Sequence, residues 1–171
     1  YQPRDIEAWS EHELADFLGT AIARGDYLFP IWYLMASTPL RRGEVAGLRW
    51  SDVDLVEGLV HVRSTRVDVR GDVFEESPKS ARSRRTVPLD GEAVVALARL
   101  RNSQEAAARA LKCSPFELVL TELTGDPIKP EAFSRRFAAA SRRANVKPIR
   151  LHSLRHTYAS RALHAGVSIH V

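Results

Sequence analysis

The sequence predicts a mainly α protein with a small antiparallel β-sheet (α+β). Three observations carry that prediction. Apolar residues recur at helical spacing in several runs, most of them opened by a capping residue. Apolar alternation is confined to residues 59–89. No internal repeat or low-complexity segment divides the 171 residues, a length that suits one domain with its own core and is short for two.

Taken in order, residues 1–9 show no clear period. Ser10-Glu11-His12-Glu13 then fits a capping box, with Ser10 as the cap and Glu13 reaching back. Leu14, Phe17, Leu18, Ala21 and Ile22 follow at helical spacing, and Gly25 supplies a stop. Residues 27–36 are apolar all round, so a second helix there is expected to be buried. Thr38 and Pro39 suit an N-cap and a first helical position, with Val45 and Leu48 facing inward and Trp50 closing the run. Strands are expected at 59–63, around Val67, Val69 and Val73 with an Arg70-Gly71-Asp72 turn, and at 85–89. Asp90 caps a long helical run to about residue 112. A short apolar stretch at 116–121 and a Gly125-Asp126-Pro127 turn lead into a helix from Pro130. Phe133, Phe137, Ala140 and Ala144 form its apolar stripe, and Arg135, Arg136, Arg142 and Arg143 its opposite face. In the last run Leu151, Leu154, Tyr158, Ala162 and Ala165 share one apolar arc, which assigns Tyr158 to the core.

Composition narrows the class of protein. Hydrophobic residues make up 44% and charged residues 27%, an ordinary globular balance. The single cysteine, Cys113, has no internal partner for a disulfide, which favours a reducing compartment. The longest apolar run is broken by Pro30 and falls short of a membrane span, and no secretory signal opens the sequence, so a cytoplasmic protein without membrane contact is expected. The net charge of +4 hides an asymmetry. Of 25 basic and 21 acidic residues, two and six fall in the first forty positions, leaving 23 against 15 in the remainder. That excess suggests a surface for a polyanion, with nucleic acid as first candidate; a solvated arginine-rich face fits the charge count equally well.

The residues with chemistry come in three groups. Arg41 and Arg42 stand near the opening of a helix, where cations oppose the dipole unless an anion sits there. Lys79 lies in a small, polar loop between two strand regions and is the first lysine in a chain that prefers arginine. Unlike arginine, it can release a proton near neutral pH. His152 and Arg155 are three apart at the start of a helix, beside free N–H groups. Two arginines can clamp the non-bridging oxygens of a phosphodiester, a lysine can protonate a leaving alkoxide, and a histidine can take a proton from an incoming hydroxyl. Glu44, three residues after Arg41, is placed to orient the arginines. No carboxylate pair or Cys/His cluster supports metal-assisted hydrolysis, and His152 and His156 have no evident third ligand, so neither metal nor cofactor is expected.

Three segments in this order resemble the boxes of the tyrosine recombinases, the phage integrase family, in their catalytic domain. They are residues 38–44 with 48–54 (TPLRRGE and LRWSDVD), 78–89 (PKSARSRRTVPL) and 151–157 (LHSLRHT), and the similarity runs from about Ser10 onward. The resemblance implies a catalytic-domain fold of that family, acting on double-stranded DNA together with other protomers of the same recombinase. It implies that Arg41 and Arg155 bind the scissile phosphate, Lys79 is the general acid and His152 assists proton transfer, by way of a 3′-phosphotyrosine intermediate. Arg42, Arg82, Arg84, Arg135 and Arg136 are the candidate DNA contacts. Pro39 departs from the family's usual glycine. The family's nucleophilic tyrosine, and the histidine or tryptophan before it, have no counterpart up to Val171. The expectation is therefore a single catalytic domain over residues 1–171, truncated before its nucleophile and lacking an upstream DNA-clamping domain. A DNA-binding or regulatory module without activity and a type IB topoisomerase are the competing expectations.

Overall fold

The computed structural model describes residues 8–76 and 84–164. Helix α1 (Glu11–Ala23) opens on the expected capping box: the Ser10 amide donates to Glu13 Oε2 at 2.8 Å and the Glu13 amide to Ser10 Oγ at 3.2 Å. Helix α2 (Phe29–Ser37) is the buried helix, with Ile31, Trp32, Leu34, Met35 and Ala36 all enclosed. A long α4 (Gly91–Leu111) packs on α2, capped by Asp90 as expected. Helix α5 (Pro130–Arg143) lays Phe133, Phe137 and Ala140 into the same core. There Trp32 stacks flat on Phe133 with centroids 5.0 Å apart, and Phe17 meets Phe137 edge-on at 5.5 Å. Such aromatic pairs add to area burial rather than replace it.

Strands β1 (Val53–Asp54), β2 (Leu59–Val62) and β5 (Arg85–Pro88) form one antiparallel sheet in the order β1-β2-β5. Strands β3 (Thr65–Val69) and β4 (Asp72–Glu76) form a separate hairpin. The single sheet expected from the alternation is thus two among the described residues. Alternation identifies strands but not partners, and β2 pairs past the hairpin with β5, Val60 opposite Val87. Arg70 and Gly71, at φ 55° and 92°, supply the two left-handed positions of the hairpin turn.

The helix carrying the first arginines begins later than expected. Helix α3 spans Arg42–Gly47 with Arg41 at its N-cap. Thr38 instead closes α2: it is buried, and its hydroxyl donates to the Leu34 carbonyl at 2.6 Å. Glu44 does the capping from inside α3, its Oε2 accepting the Arg41 amide at 2.7 Å. Two glycines set how close α3 comes to β3. A Cβ on Gly43 would meet the Arg66 carbonyl oxygen at 2.8 Å, and one on Gly47 would meet Ser64 Oγ at 3.1 Å.

A 3₁₀ turn, Leu151–Ser153, runs directly into α6 (Leu154–His164). Leu154 and Ala162 are buried as expected, but Tyr158 is only half-buried. The enclosed residue beside it is Thr157, whose Oγ1 accepts the Trp9 amide at 3.0 Å and ties the N-terminal segment to α6. A polar residue type hid that position from an apolar count. Lys79 and Arg82 lie outside the described residues.

Candidate active site

The site is built around one buried carboxylate. Glu44 is 5% exposed and accepts four hydrogen bonds: the Arg41 amide, Arg41 Nη1 at 3.3 Å, and a two-pronged grip from Arg85, Nη1 at 2.7 Å and Nη2 at 2.9 Å. Burial pushes its carboxyl up, yet the Arg85 hydrogen bonds, the Arg41 amide and both cationic charges together hold it below the ordinary glutamate value. Glu44 is therefore ionised, and its geometry fixes both arginines.

Arg85 is the residue that the sequence reading left out of the site. Strand alternation marks it: Val87, two positions on in β5, is buried, so Arg85 points the same way. Its Nη2 also donates to the Pro39 carbonyl at 3.3 Å, which anchors the segment before Arg41.

Arg155 faces the same group from α6. Burial first, then the charges of Arg41 and Arg85, push its guanidinium below the usual arginine value, and Glu44 partly offsets them. His152 precedes it by three positions across the junction of 3₁₀ turn and helix, a spacing at which side chains eclipse in 3₁₀ geometry. Partial burial, then His156, Arg155, Arg41 and Arg42, hold His152 below the ordinary imidazole value. It is thus neutral at physiological pH and able to accept a proton. Its ring sits edge-on to His156, with centroids 5.6 Å apart. Three guanidinium groups around one carboxylate leave the cluster cationic, which suits an anion.

The other candidates separate. Arg42 is committed to α5, its Nη1 donating to Glu131 at 3.1 Å and to Ser134 Oγ at 2.9 Å. Beside it a cleft of about 540 Å³ runs between α5 and the 149–152 turn, with His152 among its walls. Arg136 binds Glu122 and the Tyr27 hydroxyl. Arg84 and Arg135 are exposed and have no ion pair among the described residues. A more apolar cavity of about 380 Å³, between α2, α4 and residues 116–123, contains none of the clustered cations. The chemistry therefore belongs to the Glu44 cluster and not to this more apolar hollow.

The sequence profile of the phage integrase family matches residues 11–171. The chain belongs to the phage integrase family. It is 28% identical to a tyrosine recombinase XerC-like protein of Caldanaerobacter subterraneus subsp. tengcongensis, covering 96% of this chain and 45% of that one. It is also 28% identical to the ICEBs1 integrase of Bacillus subtilis, over 95% of this chain and 45% of the relative. The chain thus spans under half the length of these relatives. Among solved structures, the Tn1549 transposon integrase in complex with transposon right end DNA superposes with a TM-score of 0.81 at 19% identity, covering 98% of this chain and 56% of the other. XerA recombinase gives 0.73 at 24% identity, over 98% and 54%. At these identities the structural likeness establishes the fold, which is the mainly α, small-sheet architecture of this family. Among the described residues, no helix is long and apolar enough to cross a membrane.

Proposed function

We propose that this chain is the phosphate-binding part of a site-specific DNA recombinase that breaks and rejoins strands through a 3′-phosphotyrosine intermediate. The observation that carries the proposal is the gathering of Arg41, Arg85 and Arg155 about the buried Glu44, with neutral His152 beside Arg41 and Arg155. Arg41 and Arg155 would hold the non-bridging oxygens of the scissile phosphate and stabilise the added charge of the five-coordinate transition state. Loss of one such preorganised donor costs roughly 10²–10³-fold in rate. His152 would take the proton of the attacking tyrosine hydroxyl as the new phosphorus–oxygen bond forms. The 5′ oxygen leaves with a proton from Lys79, and the phosphotyrosine bond keeps the energy for rejoining.

Of the three described tyrosines, two have engaged hydroxyls and the third lies half-buried beside the enclosed Thr157. The Tyr27 hydroxyl binds Glu122 and Arg136, that of Tyr33 binds Asp90, and Tyr158 is half-buried on α6. The nucleophile is therefore assigned to a tyrosine outside residues 8–164. The partner is double-stranded DNA, acted on by several protomers. One relative in the same fold, the Tn1549 transposon integrase, is described on two DNAs, its transposon right end and a circular intermediate, which supports the reading.

The test uses the longer protein that carries this chain and a substrate whose 5′-bridging oxygen is replaced by sulfur. A thiolate leaves without a proton, so Lys79→Ala should be slow on ordinary DNA and largely rescued on the sulfur substrate. Arg155→Ala should not be rescued. Equal rescue of both removes Lys79 as general acid. Binding with no cleavage by the unaltered protein on any site would leave a regulatory DNA-binding module instead.

A further inference from the structure

The three-stranded sheet carries a second cationic cleft. Val60, Val62 and Val87 turn into the core, so His61, Arg63, Arg84 and Thr86 fall on the outer side by strand alternation. His61 Nδ1 and Thr86 Oγ1 meet there at 3.0 Å across the two strands. Val62 pairs with Arg85, and the next position of that register sets Arg63 against Arg84, both exposed. Like charges directly opposite across strands are destabilising unless something of opposite sign lies between them. The protein supplies only part of that. Arg63 Nε lies 3.6 Å from Asp52, while Arg84 has no ion pair among the described residues. Between them is an open cleft of about 440 Å³ whose wall also includes Arg85.

Arg85 connects the two places. It helps line this cleft, and its guanidinium grips Glu44 at 2.7 Å in the candidate active site. A small phosphate ligand would fill one cationic group and leave the other. A chain of regularly spaced phosphates fills both. We propose that the Arg63–Arg84 cleft holds a second phosphate of the DNA strand whose scissile phosphate sits at Arg41 and Arg155; this rests on the function proposed above.

The experiment measures affinity of the chain for a mixed-sequence DNA duplex across a salt series. The log–log slope is about −0.9 for each phosphate neutralised on duplex DNA. Arg84→Gln should make the slope shallower by about that amount, and Arg63→Gln with Arg84→Gln should lower it at least as much. Arg109→Gln, an exposed charge removed from α4, should leave it unchanged. Because Arg63 also answers the buried Asp52, the single Arg84→Gln variant decides, with its melting temperature showing that the fold is intact. A steep slope in the unaltered chain that Arg84→Gln leaves untouched, or that Arg109→Gln lowers equally, overturns the cleft alone. Absence of any salt dependence in the unaltered chain overturns the DNA reading as well.

Discussion

Arg136 meets Glu122 and the Tyr27 hydroxyl, Arg143 meets Asp26 and Arg42 meets Glu131, so each of these cations has a carboxylate of its own. Arg41, Arg85 and Arg155 instead gather round the single carboxylate of Glu44. The two groups use the same residue type, and the sequence offers members of both, Arg136 and Arg42 in the first and Arg41 and Arg155 in the second, as contacts of DNA. What differs is the ratio of cations to carboxylates and the burial of the carboxylate. A paired surface arginine is a strut, worth about 0–1 kcal/mol. An unmatched excess over one buried anion is preorganised charge that a phosphate can complete.

Removing the buried anion should have the largest effect. Glu44→Gln leaves Arg85 and Arg41 facing a neutral amide, and breaking a buried pair from one side costs about 3–5 kcal/mol. Urea unfolding should show that loss; a change below about 1 kcal/mol would put Glu44 in the same class as the surface pairs. The pH dependence follows from the sign of its shift. The Glu44 carboxyl is held below its ordinary value in the fold, so its stabilisation is fully present above the unfolded value. It fades as acid protonates the folded group. Stability should therefore fall on acidification below the ordinary glutamate range, and that component should be missing from Glu44→Gln.

Arg136→Gln sets the other end of the scale. Arg136 and Glu122 are each about a third exposed, at 36% and 35%, so the variant should lose no more than about 1 kcal/mol. It should also leave the salt dependence of DNA binding as it was. A shallower salt slope in Arg136→Gln would mean that the α5 pairs open to meet phosphate and would erase the distinction between the two groups.

The difference between the groups was only partly legible in the sequence. Arg41, Glu44, His152 and Arg155 stand in short-range patterns, three residues apart, that local helix geometry brings together. Arg85 reaches Glu44 across 41 positions, and only its alternation with Val87 hinted that it pointed inward. The mistaken cap at Thr38 has a similar origin. Thr38 and Pro39 have the right types for a helix start, but burial of Thr38 and Leu40 pulls that segment into the core, and Glu44 caps from the first turn instead. The pairing of β2 with β5 across an intervening hairpin is likewise a matter of tertiary burial, which alternation alone does not encode. Helix α2, by contrast, was readable because a stretch apolar on every side has no other place than the centre.

Whether the Arg41–Arg155 group answers charge on the reacting phosphate can be measured with two substrates in the longer protein. One carries an ordinary phosphodiester at the cleavage position, the other a neutral methylphosphonate. Arg155→Ala should lose roughly 10²–10³-fold or more in cleavage of the phosphodiester. On the methylphosphonate, which has one charged oxygen fewer to stabilise, the gap between Arg155→Ala and the unaltered protein should shrink by at least tenfold. An equal deficit on both substrates would show that Arg155 serves the fold or the docking of DNA and not the charge of the transition state.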